Sequence, residues 1–202
     1  MISIAVVEDH ALFRKGLISM LERESDIRVV SEYCDGREFL QSLEYDNLAA
    51  IDLIFLDIAL PWKNGLEVLQ ELQQKIPDHP PVCILSMYPE VFYLKESKAL
   101  GARGYLNKNV EYDVLKQAID AILQGNTFFA KKESGNQQIG ELENLSEREL
   151  EVFKLLARGY TVKEIGFELK ISIKSVSTYK SRLMQKLGVD SVLELYKLAV
   201  MH

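Results

Sequence analysis

A chain of 202 residues that is 48% hydrophobic and 27% charged can form one large domain or two ordinary ones, each with a buried core. No apolar run approaches the roughly 20 residues of a membrane-spanning helix, and the opening MISIAVVEDH lacks the basic leader of a secretory signal. Cys34 and Cys83 are too few and too far apart for a disulfide framework or a metal site, so we expect a cytoplasmic protein with reduced cysteines.

Charge is distributed unevenly along the chain. Residues 1–125 carry a net charge of −8, whereas residues 144–202 carry a net charge of +3. Within the second region, residues 170–186 contain five basic residues and no acidic residue. A basic stretch in an acidic chain indicates contact with a polyanion, although charge alone also allows an ordinary solvated helix face.

Short apolar segments alternate with helical patterns throughout the first 125 residues. The predicted strands are residues 2–7, 27–33, 51–57, 81–86 and 104–107. The predicted helices are residues 11–24, 37–45, 64–76, 90–100 and 111–125. This alternation predicts an α/β domain over residues 1–125, with a doubly wound, five-stranded parallel sheet covered by helices on both faces.

Polar residues follow the predicted strands at their carboxyl ends, where ligands bind in such sheets. They are Glu8, Asp9, Asp57, Ser86 and Lys108. Three carboxylates that lie close together repel one another unless a cation intervenes, and carboxylate oxygens with room for water suit Mg²⁺. A carboxylate can also attack phosphorus as a nucleophile. The alternative is a salt-bridged cluster without chemistry, which would leave excess negative charge at this edge.

The pattern changes after residue 125. Residues 126–143 are polar and contain two glycines, so we interpret them as a linker. Residues 144–202 are predicted to form a small all-α, four-helix domain with helices at 146–159, 161–170, 172–188 and 191–200. Ser146 and Glu149 have the spacing of a capping box at the start of the first of these helices.

The second and third helices of this region have helix-turn-helix spacing, in which the second helix of the pair enters the major groove of DNA. On a helical projection, one face of residues 173–187 is apolar and the opposite face is polar and free of acidic residues. Lysine and arginine suit phosphate contacts, and serine and threonine suit base edges. The candidate DNA contacts are Lys174, Ser177, Thr178, Lys180, Ser181 and Arg182.

The segments VVEDHALFRKGL, LIFLDIALPWKNGLEVL, ILSM and GARGYLNK resemble, in order and spacing, the receiver domain of two-component response regulators. The resemblance covers nearly all of residues 1–125 and implies a flavodoxin-like or CheY-like fold. It implies that Asp57 is the phosphoryl acceptor, contacted through its phosphoryl group by Ser86 and Lys108. Tyr105 resembles the aromatic switch residue of that family. The implied Mg²⁺ site consists of Asp9, Asp57 and the backbone carbonyl of Ala59 as ligands, with Glu8 helping through water.

Residues 144–202 resemble the LuxR-type helix-turn-helix domain of the NarL/FixJ class of response regulators. The two resemblances together imply a transcription regulator rather than an enzyme. Phosphorylation of Asp57 by a sensor histidine kinase would control dimerisation and binding to promoter DNA. His10 belongs to the receiver phrase EDHALFRKGL, and we give it a local structural role.

Three alternatives remain. An aspartyl-phosphate phosphatase of the haloacid-dehalogenase kind needs a second aspartate where this chain has Ala59. A DNA binder whose receiver has lost phosphate chemistry is disfavoured by the presence of Asp9, Asp57 and Lys108. A flavodoxin-like electron carrier needs a phosphate loop rich in glycine, serine or threonine, which EDHALFRK is not.

The last predicted helix carries apolar residues at helical spacing. They are Val192, Leu195, Leu198 and Ala199. Part of this face is expected to pack within its own domain, whose core is small. We also expect it to pair with a second copy, because a two-fold dimer on DNA doubles the contacts of a single recognition helix.

Overall fold

The computed structural model describes residues 1–43, 48–88, 90–129, 142 and 144–200. The described residues within Met1–Ser86 and Leu94–Lys131 form one compact unit, and those within Met87–Tyr93 and Lys132–His202 form another. Most of the predicted linker, residues 126–143, lies outside the described residues. The proposed domain boundaries therefore stay a prediction.

The first unit is built on a parallel sheet with the strand order β2-β1-β3-β4-β5-β6. The strands are β1 Ile2–Val7, β2 Ile27–Tyr33, β3 Leu53–Asp57, β4 Val82–Ser86, β5 Gly104–Asn107 and β6 Phe128–Phe129. Every residue of β3 and β4 is buried, because helices cover both faces of a doubly wound sheet. The predicted fold class is confirmed.

The sixth strand is a difference from the predicted five-stranded sheet. Phe128 and Phe129 pair in parallel with Gly104 and Tyr105 of β5, at positions that the sequence pattern assigns to the start of the linker. A two-residue strand is too short to show an alternating sequence pattern. It is recognised only by its pairing with β5 in the structure.

Helices connect the strands of this sheet. They are α1 Ala11–Leu21, α2 Gly36–Ser42, α3 Gly65–Lys75, α4 Glu90–Ala99 and α5 Tyr112–Leu123, with a short 3-10 turn at Leu48–Ala50. The side chain of Asn64 accepts hydrogen bonds from the Leu66 and Glu67 amides, and Glu67 accepts from the Asn64 amide in return. This reciprocal cap fixes the start of α3 just after β3.

The C-terminal part of the second unit is helical, as predicted. Its helices are α6 Glu147–Ala157, α7 Val162–Glu168, α8 Ile173–Lys186 and α9 Val192–Val200. Ser146, Thr161 and Ser172 cap the first three of them, each accepting a hydrogen bond from the amide three residues later. Caps of this kind satisfy amides that have no partner within the helix and so set its starting point.

A tight turn joins α7 to α8. Lys170 adopts a left-handed backbone conformation with φ of 53°. A Cβ atom on Gly166 would lie 3.1 Å from the Ile171 carbonyl oxygen, so glycine permits the close approach of this turn to α7. The helices α7 and α8 pack against each other, and Ile165, Val176 and Leu183 on their apolar faces are fully buried.

Candidate functional site

Acidic and polar residues collect at the carboxyl edge of the sheet. Glu8 and Asp9 follow β1, Asp57 ends β3, Ser86 ends β4, and Lys108 follows β5. Glu8, Asp57 and Ser86 have no exposed surface. Parallel strands end at the same edge of a sheet, and this explains how residues distant in sequence come together as predicted.

Lys108 links two of the buried carboxylates. Its Nζ atom lies 2.6 Å from Glu8 Oε2 and 2.9 Å from Asp57 Oδ2. The Lys108 side chain is only 4% exposed, and the Phe13 ring lies 4.9 Å from its Nζ atom. Water therefore screens these ion pairs little, and the attraction is stronger than it would be at the protein surface. The sequence did not predict the contact with Glu8 or with Phe13.

Burial and charge oppose one another at these carboxylates. Burial raises the pKa of Asp57, and the ammonium of Lys108 and the backbone amide of Ala59 reduce this rise without cancelling it. Burial also raises the pKa of Glu8, with a further increase from the Asp57 charge and a decrease from Lys108. Because both pKa values stay above their ordinary range, a single lysine does not fully compensate two buried carboxylates.

The third carboxylate, Asp9, is less enclosed. Its side chain is 31% exposed, and its Oδ1 atom lies 3.3 Å from Nδ1 of the His10 ring. The backbone amide of His10 donates a hydrogen bond to Glu8 Oε1 at 3.0 Å. Possible ligand atoms of Glu8, Asp9 and His10 lie within 4.8 Å of one another. The His10 ring, to which the sequence analysis assigns no ligand role, is thus at the edge of the acidic cluster.

Some oxygen atoms of the cluster are unsatisfied. Within the described part of the chain, neither Asp57 Oδ1 nor Asp9 Oδ1 takes part in a hydrogen bond of standard geometry, although both atoms are buried. Buried polar atoms normally have a partner, so each such case calls for an explanation. Carboxylate oxygens with spare acceptor capacity form the donor set that a hard divalent cation prefers.

The backbone around Asp57 is tightly packed. A Cβ atom on Gly65 would lie 2.1 Å from the Asp57 carbonyl oxygen, and the Gly65 amide donates to the Ile58 carbonyl at 3.0 Å. Only glycine allows the start of α3 to lie this close to the end of β3. Gly65 belongs to the loop phrase LPWKNG, but its contact with the Asp57 backbone was not predicted.

Tyr105 lies in β5, next to the strand that ends with Ser86. It is paired in register with Ile84 of β4, and Ser86 is paired with Asn107. Both Tyr105 and Ser86 are fully buried. The aromatic ring thus lies inside the unit in this structure.

The polar face of α8 is open to solvent. Lys174, Ser177, Thr178, Ser181 and Arg182 are exposed, whereas Lys180 is half-buried. The hydroxyls of Ser177, Thr178 and Ser181 each donate a 3.0 Å hydrogen bond to the carbonyl four residues earlier in the helix. Their protons are therefore engaged, while their oxygen atoms keep lone pairs for an external donor.

Lys186, at the end of the basic stretch, has an internal partner. Its Nζ atom lies 2.7 Å from Oε2 of Glu149, a residue of α6 that is 3% exposed, and 3.2 Å from the Asn144 carbonyl. Burial raises the pKa of Glu149, but the bonds from Lys186 and Ser146 outweigh this and hold the pKa below its ordinary value. Glu149 forms the predicted capping box with Ser146 and joins α6 to α8 as well.

The predicted dimer face on α9 stays a prediction, but one of its residues is engaged within the monomer. Leu195 is fully buried in the monomer, and α9 packs against α6, so the Leu195 side chain is not available to a second copy. Leu198 is half-buried and Val192 is exposed, while the Ala199 side chain lies outside the described residues. Among the side chains of α9 that the structure describes, the exposed large apolar ones are Val192, Leu193 and Tyr196, at 36%, 64% and 49%.

Within the described residues, we find no helix both long and apolar enough to cross a membrane. The fold and the acidic cluster define a receiver-type α/β domain, and a helix-turn-helix domain follows it in the chain.

Comparison with known proteins gives the same result. Residues 4–120 match the family described as response regulator receiver domain, and residues 143–199 match the bacterial regulatory proteins of the luxR family. The chain belongs to the response regulators that join a receiver domain to a LuxR-type DNA-binding domain, and these are transcription regulators.

Named relatives align over nearly the whole chain. The transcriptional regulatory protein UhpA of Escherichia coli is 33% identical over 96% of both chains. The oxygen regulatory protein NreC of Staphylococcus carnosus is 31% identical over 98% of this chain and 96% of its own. Among solved structures, RcsB of Salmonella enterica bound to a promoter has the same fold, with a TM-score of 0.65, 24% identity and coverage of 98% and 97%.

Proposed function

We propose that Asp57 accepts a phosphoryl group from a sensor histidine kinase and that this event controls binding of promoter DNA by residues 144–202. One observation carries the proposal. Asp57 is a fully buried carboxylate with one oxygen paired to Lys108 and the other without a standard hydrogen bond. A carboxylate held in this way can act as a nucleophile, and a fixed cation lies beside it.

Mg²⁺ fits the same cluster. Its proposed ligands are Asp9, Asp57 and the backbone carbonyl of Ala59, with Glu8 acting through water. The buried Asp9 and Asp57 oxygens that lack a hydrogen bond of standard geometry support this assignment, since Mg²⁺ binds one or two carboxylates together with phosphate oxygens and waters. When bound, the ion offsets negative charge on the oxygens of the transferred group.

In the proposed reaction, the phosphoryl group passes directly from the kinase histidine to Asp57. An oxygen of Asp57 forms a bond to phosphorus while the nitrogen–phosphorus bond of the donor phosphohistidine breaks. The histidine nitrogen leaves with that electron pair and takes a proton from solvent. Lys108 pairs with the phosphoryl oxygens, and the Ser86 hydroxyl donates a hydrogen bond to one of them.

We propose that Ser86 and Tyr105 carry the signal onward from the phosphoryl group. A ligand shifts a two-state equilibrium only by the difference in its contacts with the two states. Ser86 and Lys108 would bond the phosphoryl oxygens in the active conformation and not in the inactive one, and these bonds would supply that difference. Tyr105 then responds to the position of Ser86, because it lies on the adjacent strand.

Phosphorylation is tested with acetyl phosphate and Mg²⁺, followed by a gel that retards phosphoproteins. Wild type is expected to form an acid-labile phosphoprotein, and no phosphoprotein should form when EDTA is present from the start to remove the metal. The variant Asp57→Asn should form none. Asp52→Asn is the matched control, because Asp52 precedes β3 and accepts a hydrogen bond from the Ser3 amide at 2.7 Å. Incorporation by Asp57→Asn at the wild-type rate would contradict the assignment.

For DNA, we propose that α8 enters the major groove. Lys174, Lys180 and Arg182 would contact phosphates and displace counterions, so affinity should fall steeply with salt. Thr178, Ser177 and Ser181 would contact base edges. Because their hydroxyl protons already bond to the helix backbone, we expect these oxygens to accept from the amino groups of adenine or cytosine.

The DNA proposal is tested by mapping bound DNA across the genome for wild type and Asp57→Ala, then footprinting a defined operator. Arg182→Ala should weaken binding to all sequences and reduce the salt dependence, whereas Thr178→Ala should alter which sequence is preferred. Equal occupancy by wild type and Asp57→Ala under inducing conditions would show that phosphorylation does not control binding.

We also propose that the active protein is a cytoplasmic homodimer bound to an inverted repeat. Two recognition helices related by a two-fold axis would contact half-sites about one helical turn apart. RcsB supports this arrangement, since one of its structures contains two RcsB dimers bound to two parallel DNAs. On α9, the exposed residues Leu193 and Tyr196 replace Leu195 as the proposed contacts.

A further inference from the structure

Arg14 connects α1 to the backbone that carries the acidic cluster. Its Nη1 atom donates a hydrogen bond to the Glu8 carbonyl at 2.6 Å and lies 3.5 Å from the Asp9 carbonyl. Its Nε atom donates to Glu32 Oε2 at 2.9 Å. The Arg14 side chain is 14% exposed, whereas Glu32, on β2, is 55% exposed. The guanidinium is therefore largely enclosed between α1, β2 and the loop after β1.

These contacts restrain the part of the chain from which two carboxylates project. The Glu8 amide donates to the Tyr33 carbonyl at 3.0 Å, and Arg14 binds the Glu8 carbonyl on the other side of the residue. Both peptide groups that flank Glu8 are thus held. The second of them also precedes Asp9, so the same bond limits the rotation that sets the direction of the Asp9 side chain.

The geometry requires an arginine. One planar guanidinium bonds a carbonyl through Nη1 and a carboxylate through Nε in two different directions, while lysine offers a single compact ammonium. Glu32 holds the guanidinium in this orientation from β2. The bond from Arg14 to a main-chain carbonyl leaves the Glu8 and Asp9 side chains available for other partners.

We propose that Arg14 is a positioning residue that holds the backbone of Glu8 and Asp9 so that the acidic cluster binds a divalent cation, and that Glu32 acts through Arg14. This inference rests on the proposed function, which assigns Mg²⁺ to the cluster. Removal of a group that orients metal ligands without binding the metal itself typically weakens metal binding by about 10- to 100-fold.

The test is the dissociation constant for Mg²⁺, measured by calorimetry on the full chain without a phosphoryl donor. Arg14→Ala is expected to weaken Mg²⁺ binding at least about tenfold. Glu32→Gln should weaken Mg²⁺ binding less than Arg14→Ala does. The double variant should bind Mg²⁺ with the same affinity as Arg14→Ala, because Glu32 acts only through Arg14. Arg28→Ala is the matched control, an exposed arginine on β2, and should change the affinity less than twofold.

A merely structural role predicts a different result. It would lower the thermal unfolding midpoint of Arg14→Ala while the folded protein kept wild-type affinity for Mg²⁺, and that result would overturn the proposal. If Arg14→Ala does not fold, Arg14→Lys and Glu32→Gln decide the matter, since both retain most of the side chain. Wild-type affinity in these two variants would also overturn it.

The proposed function is checked in the same series. Wild type should bind one Mg²⁺, and Asp9→Asn should remove this binding. A wild type that binds no Mg²⁺ would overturn both proposals, whereas binding by wild type and unchanged binding by Arg14→Ala and Glu32→Gln would overturn only the role of Arg14.

Discussion

Lys108 contacts Glu8 at 2.6 Å, more closely than it contacts Asp57 at 2.9 Å. The longer side chain of a glutamate at position 8 brings its carboxylate within reach of the ammonium. A phosphoryl group on Asp57 would compete with Glu8 for Lys108. The switch proposed for this receiver therefore includes an exchange of partners by one buried lysine.

Removing Lys108 should uncouple phosphorylation from DNA binding and destabilise the receiver domain. Lys108→Ala leaves two buried carboxylates without their cation, and the loss of one partner of a buried ion pair costs about 3 kcal/mol or more. We expect the variant to fold, with a lower urea midpoint, and to bind operator DNA equally with and without acetyl phosphate. A normal phosphate-dependent gain in operator affinity would contradict this account of switching.

Asp57→Asn should stabilise the protein at neutral pH. The pKa of Asp57 is raised by burial despite Lys108, so the folded state holds the proton more tightly than the unfolded state. The stability linked to this proton is complete below the unfolded pKa and is lost as pH rises through the folded pKa. Replacing the charge should add about 1 kcal/mol at pH 7, a common gain when a destabilising functional group is removed.

Urea unfolding of wild type and Asp57→Asn across pH 4 to 8 measures this effect. The difference should shrink as the solution is acidified, because wild-type Asp57 then takes up its proton. Glu8 also has a raised pKa, caused by burial and in part by the Asp57 charge. Acidification should therefore stabilise both proteins through Glu8, and wild type more than Asp57→Asn, which acts in the same direction. A difference that grows on acidification would reverse the sign and contradict the prediction.

Gly65→Ala should damage the site through the backbone. The new Cβ atom would lie 2.1 Å from the Asp57 carbonyl oxygen, so β3 and α3 must separate at a cost of about 1–3 kcal/mol. We expect phosphorylation by acetyl phosphate to fall in parallel. Gly16→Ala is the control, because nothing lies within 4 Å of the position that its new methyl group would take on α1, and alanine there should stabilise by about 1 kcal/mol.

Lys186→Ala should weaken the DNA-binding unit by a route different from Arg182→Ala. Lys186 bonds the buried Glu149, so its loss leaves a poorly compensated carboxylate between α6 and α8, at a cost of about 1–3 kcal/mol. We expect a lower thermal midpoint with an unchanged salt slope of DNA binding. Arg182→Ala should show the reverse, a normal midpoint with a reduced slope.

The pH dependence of this pair has the opposite sign from that of the receiver site. The pKa of Glu149 is held down mainly by Lys186 and Ser146, against the effect of burial. Its stabilising contribution is present above the unfolded pKa and is lost as pH falls through the folded pKa. Lys186→Ala should therefore lose less stability than wild type on acidification, which thermal unfolding at pH 7 and pH 4 would measure.

Two charged substitutions on α9 distinguish the dimer face from the monomer core. Leu193→Glu alters an exposed residue and should reduce dimer formation on operator DNA while the thermal midpoint stays within about 2 °C. Leu195→Glu buries a charge in the core and should unfold the unit. Sedimentation with a defined operator gives the readout, and an unaffected dimer in Leu193→Glu would exclude this face.

Local pattern determined most of the secondary structure. The sequence predicted β2 at 27–33 and β5 at 104–107 with the bounds that the structure has, because apolar alternation and helical spacing are properties of neighbouring residues. The edge that collects Asp57 and Lys108 was also predictable, since parallel strands end on one side. Helix ends were less accurate: α1 was predicted to reach residue 24 and ends at Leu21.

Tertiary packing decided what the pattern left open. Strand β6 exists because Phe128 pairs with Gly104, and two residues alone have no period to detect. Leu195 and Leu193 are both apolar and belong to one helix, but the packing of the folded unit buries the first and leaves the second exposed. Arg14 contacts the Glu8 carbonyl, a main-chain atom that no residue type in the sequence reveals. Such contacts depend on distances between elements, which a one-dimensional pattern does not contain.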